Sequence, residues 1–242
     1  MSSLCGPIGG NSVPSLSPSI TRLDMELKMS FINGKASAFG SAAFDSADRK
    51  GNGTKSSNSK WMKWVKARAL VETPIILDIE ASGFGSGSYP IEIGVAMPDG
   101  QLYVWLVKPH EDWTHWQDSA EQIHGISREQ LQRDGQPLRE VADELNELLA
   151  GKTVFSDGWG VDRGWLALLF HDAGVLQGFK LDAIYGLLDE DELEQWGTNR
   201  EKVLAITGFI PHRAGTDALI IQKTYLYTID SEIDLLNGPA PV

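Results

Sequence analysis

The sequence predicts one α/β domain over residues 66–235 of the 242-residue chain. Three observations carry this expectation. Short apolar runs bounded by turn residues come first, as strands do. Stretches of helical periodicity then interleave with further short apolar runs, the order of a layered α/β domain. No segment repeats, so nothing divides the domain into copies.

The first element is "PIILDIEASG", an apolar run closing on acids and then glycine, which reads as a buried strand. "YPIEIGVAMPDGQLYVWLVKP" alternates on both sides of Asp99-Gly100 and reads as a β-hairpin. Ser127 and Gln130 have the spacing of a capping box and open a short helix. Pro137 starts "PLREVADELNELLAG", where Leu138, Val141, Ala142, Leu145, Leu148 and Leu149 share one stripe and Gly151 ends the helix. "KTVFSDG" is a strand, "VDRGWLALLFHDAG" a mostly buried helix and "FKLDAI" another short strand. The acidic run from Asp189 to Glu194 reads as a solvated loop or helix start. "NREKVLAITG" and "TDALIIQKTYLYTI" supply the final helices.

Composition sets the outer bounds. With 42% apolar and 22% charged residues the chain can bury a sizeable core. No stretch approaches the ~18 consecutive apolar residues of a membrane-spanning helix, so no membrane role is expected. Cys5 is the lone cysteine, which excludes an internal disulfide and a cysteine-based zinc site and makes a cytoplasmic location the expectation. A formal net charge of −12 argues against holding nucleic acid on a broad basic surface. It leaves open chemistry on nucleic acid at a metal-filled site. The charge is also uneven, +3 over residues 1–60 and −15 over the remainder. The first 60 residues hold 13 Ser and 7 Gly and none of the eight Trp. We read residues 1–65 as a low-complexity, disordered leader without a secretory pattern. A second reading is an upstream start assignment, with the working protein beginning near Met62. Residues 236–242 read as a short tail.

Asp78 and Glu80 stand two apart at the carboxyl end of the first strand, so both carboxylates share one face. Such a pair repels itself unless a cation bridges it, and that strand end is where open α/β sheets bind ligands. A solvated strand end is the alternative. Asp162 opens a helix after "SDGWG", where an acid also suits the helix dipole. Asp157 lies in that turn and reads as a turn former. His212 is the one histidine with an aspartate, Asp217, five residues on. Inside one helix the two would stand about 140° apart, and they converge only if His212 lies on the entering loop. Pro211 and Gly215 favour such a break. A histidine beside a carboxylate that holds a metal suits a general base, whereas a capped helix with a surface histidine is the plainer reading.

In that order these residues resemble the DEDDh branch of the DnaQ-like 3′–5′ exonuclease superfamily, with ribonuclease T-like character. "ILDIEASGFG" resembles its first motif, "PIEIGVAM" the strand after it and "QIHGIS" its short His-Gly-Ile element. "VFSDGWGVDRGWL" resembles the second motif with Asp162 in the aspartate position, and "HRAGTDAL" the third with His212 and Asp217 in place. The resemblance runs from residue ~74 to ~229, a typical domain length. The chain departs from the family at Asp157-Gly158, where a His-Asn pair is usual. Arg213 stands where the family's other branch has tyrosine.

The resemblance implies a ribonuclease-H-like fold with a mixed central sheet flanked by helices. It also implies two Mg²⁺ or Mn²⁺ ions. Asp78 would bridge both, Glu80 and Asp217 would hold the ion that binds the attacking water, and Asp162 would serve the second. His212 would take the proton from that water. The turn Ala81, Ser82, Gly83 and Phe84 would lie where the 3′ nucleotide docks, with Phe84 either stacking on a base or packing in the core. His124, in a loop near the cleft, and Trp159, in the second-motif turn, are further candidate contacts, and Lys180, Arg163 and Arg213 would grip the strand locally. The implied reaction is removal of nucleotides from the 3′ end of single-stranded or short RNA or DNA as nucleoside 5′-monophosphates. Two alternatives stand beside it. One is a nuclease-fold module that binds a nucleic-acid end or a protein without cleaving, and the other is a metal-dependent phosphatase or nucleotidase. A homodimer is expected by the same resemblance.

Overall fold

The computed structural model describes residues 73 to 236. The expected leader over 1–65, the start near Met62 and the tail beyond Leu236 lie outside the described residues. The strands are β1 Ile76–Ala81, β2 Pro90–Ala96, β3 Leu102–Leu106, β4 Thr153–Ser156 and β5 Lys180–Ala183. They form one sheet in the order β3-β2-β1-β4-β5. β2 is antiparallel to β1 and to β3, whereas β4 is parallel to β1 and β5 to β4. This is the expected mixed sheet. β1 sits at its centre with both faces covered, which is why "ILDI" reads as a near-continuous buried run. From β1 the chain moves to one side for β2 and β3 and to the other for β4 and β5. The reversal falls between β1 and β4, where open α/β sheets bind ligands beyond the carboxyl ends of the strands.

The hairpin turn has three residues. Gly100 N–H donates to Met97 O at 3.1 Å and Met97 N–H to Gln101 O at 2.9 Å. Gly100 lies at φ 85°, closing a type I turn with a glycine bulge.

The helices are α1 Asp118–His124, α2 Arg128–Asp134, α3 Leu138–Leu149, α4 Trp159–Ala173, α5 Glu190–Thr207 and α6 Ala214–Ile229, with a 3-10 turn at Ile184–Leu187. Ser127 opens α2 as expected, its hydroxyl accepting from Gln130 N–H at 3.1 Å. Other boundaries differ from those the sequence predicts. α1 has no counterpart among the expected elements, because "DSAEQIH" carries almost no apolar stripe. It makes His124 a helix-terminal residue rather than a loop residue. Trp159 begins α4 instead of lying in the turn before it, so Asp162 falls in the helix's first turn. α5 starts at Glu190, well before "NREKVLAITG", because Asp189 and Glu192 cap each other reciprocally at 3.0 and 2.8 Å. Glu192, Trp196, Asn199 and Val203 are its buried residues, too mixed a set to show as periodicity. Among the described residues no helix is long and apolar enough to cross a membrane.

Cross-strand partners point to the same face of a sheet. Ile76 pairs with Ala96, Asp78 with Gly94 and Glu80 with Glu92, so these six residues share one face. Ile76 and Ala96 pack there with Ala218, Ile221 and Tyr225 of α6. Leu77, Ile79 and Ala81 belong to the opposite face, packed with Val141 and Leu145 of α3 and Leu166 and Leu169 of α4. Gly94 lets α6 approach. A Cβ there would lie 2.2 Å from the carbonyl carbon of Ala214 and 2.3 Å from Gly215 N, both backbone atoms. Gly94→Ala is therefore expected to push the start of α6 off the sheet and cost at least about 1–3 kcal/mol. A lowered urea midpoint at unchanged slope would record that loss.

Candidate active site

Asp78 and Glu80 end β1 on the face that α6 covers. Asp78 is 6% exposed and Glu80 partly exposed. The pairing register slips between Glu80 and Ala81, where Ile91 is the extra residue on β2, so the ladder is interrupted just past Glu80. α6 brings Asp217 in its first turn, where a carboxylate suits the helix dipole.

His212 lies two residues before α6, on the entering loop. Its φ of 77° is the one positive value at a non-glycine residue among those described. That conformation costs on the order of 1–3 kcal/mol and persists only where the surroundings enforce it. Here the His212 N–H donates to Asp217 Oδ2 at 2.6 Å. The bend returns the chain onto its own helix, and donor atoms of Glu80, His212 and Asp217 come within 4.8 Å of one another. The cluster does not include Asp78 or Asp162. Asp217 Oδ1 also faces Arg200 Nη2 of α5 at 3.6 Å.

The loop is held from behind by Glu92. This residue is fully buried on β2, opposite Glu80. Its carboxylate accepts from Arg213 Nε at 3.1 and 3.0 Å, from Arg213 Nη2, and from the Ala214 N–H at 2.8 Å. One side chain thus satisfies the first helical N–H of α6 and pairs with the residue between His212 and the helix. The bond to Glu92 holds the Arg213 guanidinium above its ordinary value against the opposing effect of burial, and the charges of Glu92 and Glu80 add to the rise.

Asp162 is buried and accepts from the Ser156 hydroxyl at the end of β4. A Cβ at position 158 would meet Asp162 Oδ2 at 2.7 Å, so Gly158 leaves room for this carboxylate to fold back. Trp159 turns away toward β5, its Nε1 donating to Leu181 O at 3.1 Å, with the Arg163 guanidinium 5.5 Å over its ring. Lys180 pairs with Asp182 at 2.6 Å. The three cations expected to grip a strand thus already have protein partners in Glu92, Trp159 and Asp182. Of the docking turn, Ala81, Ser82 and Gly83 are buried, and Phe84 presents its ring, 54% exposed, 6.1 Å from that of Trp165.

His124 is buried at the end of α1. Its Nδ1 accepts from Ile126 N–H at 3.1 Å, which puts the proton of the neutral ring on Nε2, a buried atom without a hydrogen-bond partner. Burial pushes this ring below the ordinary histidine value, against the opposing charges of Glu121 and Glu92, while Arg213 and His212 add to the lowering. The unfolded chain therefore takes up the proton first as pH falls. His124 contributes its full stability above its unfolded pKa of about 6.5 and loses it on acidification toward the lower folded value. Unfolding free energy in urea is expected to drop as pH falls below about 6.5, and less steeply in His124→Gln.

Two carboxylates and an imidazole at this separation offer the oxygen and nitrogen donors of a divalent-cation site, and oxygen-rich sets suit Mg²⁺ or Mn²⁺. The residues fit such an ion. Sequence reasoning misses four residues that shape the site. An acid inside the wholly buried "PIEIGVA" is a usable sign that Glu92 needs a partner. Arg200, Ser156 and Gln117, which bonds the Phe84 backbone, leave no local sign.

The fold and this cluster define a ribonuclease-H-like α/β domain with a candidate cation site beyond its central strand. No protein-family model and no curated protein matches the chain. Solved structures do. Exonuclease I matches at 14% identity with a TM-score of 0.50, over 65% of this chain and 41% of that one. E. coli exonuclease I in complex with an oligonucleotide matches over the same shares at 13% and 0.48, and the enzyme from Methylocaldum szegediense at 14% and 0.47. The aligned part thus spans about two fifths of those structures. At this identity the likeness concerns the fold.

Proposed function

We propose that this protein is a metal-dependent 3′–5′ exonuclease of the DnaQ-like DEDDh type, releasing nucleoside 5′-monophosphates from single-stranded or short nucleic acid. The observation that carries the reading is the convergence of Glu80, His212 and Asp217 at the carboxyl end of β1. Glu80 and Asp217 would hold one divalent cation and Asp162 would serve a second, with Asp78 shared between the two. Bound cations would supply an activated water and neutralise charge on the phosphodiester oxygens.

The chain's own groups do the rest. The bend at His212 is held by its N–H on Asp217, and a ring nitrogen lies within 4.8 Å of an Asp217 oxygen, where it would accept the proton of the attacking water. Imidazole suits that task near neutral pH. Phe84 offers an exposed aromatic face just past Glu80, and base stacking on such a face tolerates any sequence but needs an unpaired strand.

The test is a gel of 5′-labelled single-stranded RNA and DNA oligonucleotides with Mg²⁺ or Mn²⁺, beside an EDTA lane and an Asp78→Ala variant. A ladder shortening from the 3′ end, absent from both controls, is the expected result. Intact oligonucleotides under every metal would overturn the proposal.

A further inference from the structure

The segment Ser82–Tyr89 follows Glu80 and is rich in glycine and serine, the composition of a loop without fixed shape. It is nonetheless fastened along its length, and Gln117 at the N-cap of α1 makes three of the bonds, two of them to Phe84. The Gln117 N–H donates to Ser82 O at 2.9 Å. Its side-chain amide accepts from Phe84 N–H through Oε1 and donates to Phe84 O through Nε2, both at 3.0 Å. That reciprocal pair is what a neighbouring strand residue would make with its backbone. Gly83 permits the approach. It lies at φ 137°, and a Cβ there would stand 2.4 Å from Gln117 Oε1.

Further bonds close the loop from its other end. The Ser82 hydroxyl accepts from Tyr89 N–H at 3.1 Å and lies 2.9 Å from His115 Nδ1. The Ser88 hydroxyl donates to Gly85 O and accepts from Trp165 Nε1, each at 2.9 Å. The backbone of Phe84 is thereby bonded on both its N–H and its C=O, with the ring 54% exposed. An exposed phenylalanine on a free loop would turn inward to bury its ring.

We infer that Gln117 is a positioning residue that fixes Phe84 as a preformed stacking surface for the terminal base of a single-stranded nucleic acid. The inference rests on the proposed function. A surface ordered in advance spares the strand the cost of ordering it on binding, so losing the clamp weakens binding and leaves the chemical step alone.

Steady-state hydrolysis of an oligonucleotide tests this in wild type, Gln117→Ala, Gln117→Asn, Phe84→Ala and the double variant Gln117→Ala/Phe84→Ala. Asparagine keeps the amide and the backbone N–H but is one methylene too short to reach Phe84. Each single change is expected to raise KM about tenfold with kcat within about twofold. The double variant is expected to be no worse than Phe84→Ala, because residues acting through one another do not add. Gln117 variants at the wild-type KM, or a double variant showing both losses in full, would overturn the clamp alone. A wild-type protein that neither binds nor cuts the strand would bring down the proposed function and the clamp with it.

Discussion

Asp217→Asn is expected to leave the domain folded and to reduce phosphodiester hydrolysis by on the order of 10³-fold. Asparagine keeps the shape of the side chain and an oxygen for the His212 N–H, which bonds Asp217 at 2.6 Å. The bend at His212 therefore survives. What disappears is a negative charge, 8% exposed, that with Glu80 would hold a divalent cation. A cation so held is worth several kcal/mol to a transition state in which charge builds on phosphate oxygens, and ~4 kcal/mol is about three powers of ten. Calorimetry should show weaker Mn²⁺ binding in the same variant. A rate and an affinity both unchanged would place the ion somewhere else.

Arg213→Ala is expected to lower stability by about 2–4 kcal/mol, and the reason lies in what it leaves behind. Glu92 is wholly inaccessible, and without the guanidinium its carboxylate keeps only the Ala214 N–H among its present partners. Stranding a buried charge usually costs about 3–5 kcal/mol, and the lower figure allows for an Arg213 side chain that is 49% exposed. Arg213→Lys should recover part of the loss, since a single ammonium cannot match the forked contact. Activity should fall through kcat as well, because the residue joins His212 to α6. A purely substrate-gripping arginine, the role inferred from the sequence, would raise KM and leave stability alone. Urea unfolding beside steady-state kinetics separates the two.

Elements with a strong local pattern are legible in the sequence alone. The acids of β1 follow four apolar residues, the hairpin carries Asp-Gly, and α3 shows a clean stripe from Leu138 to Leu149. A convergence of His212 with Asp217 is open to sequence reading too, because Pro211 marks a loop ahead of the helix, although the helix starts at Ala214 and so already includes Gly215. α1 and the first half of α5 show no periodicity, and for α5 the acidic run from Asp189 offers a helix start only as one of two readings. The support of the site is hidden for a further reason. Glu92 and Arg213 stand 121 residues apart, and Gln117 lies 33 residues from Phe84. A contact across such spans imposes no spacing on the sequence, so only a charge in a buried strand betrays it. For the same reason Arg213 resembles a strand-gripping cation in the sequence, where nothing local points to its partner on β2.

The most direct test of the central claim is a crystal of the wild-type protein soaked with Mn²⁺ and measured at the manganese absorption edge. An anomalous peak is expected at about 2.1–2.2 Å from a Glu80 and an Asp217 carboxylate oxygen, with the His212 ring alongside. A well-occupied peak elsewhere in the domain, with none between Glu80 and Asp217 at saturating metal, would contradict it.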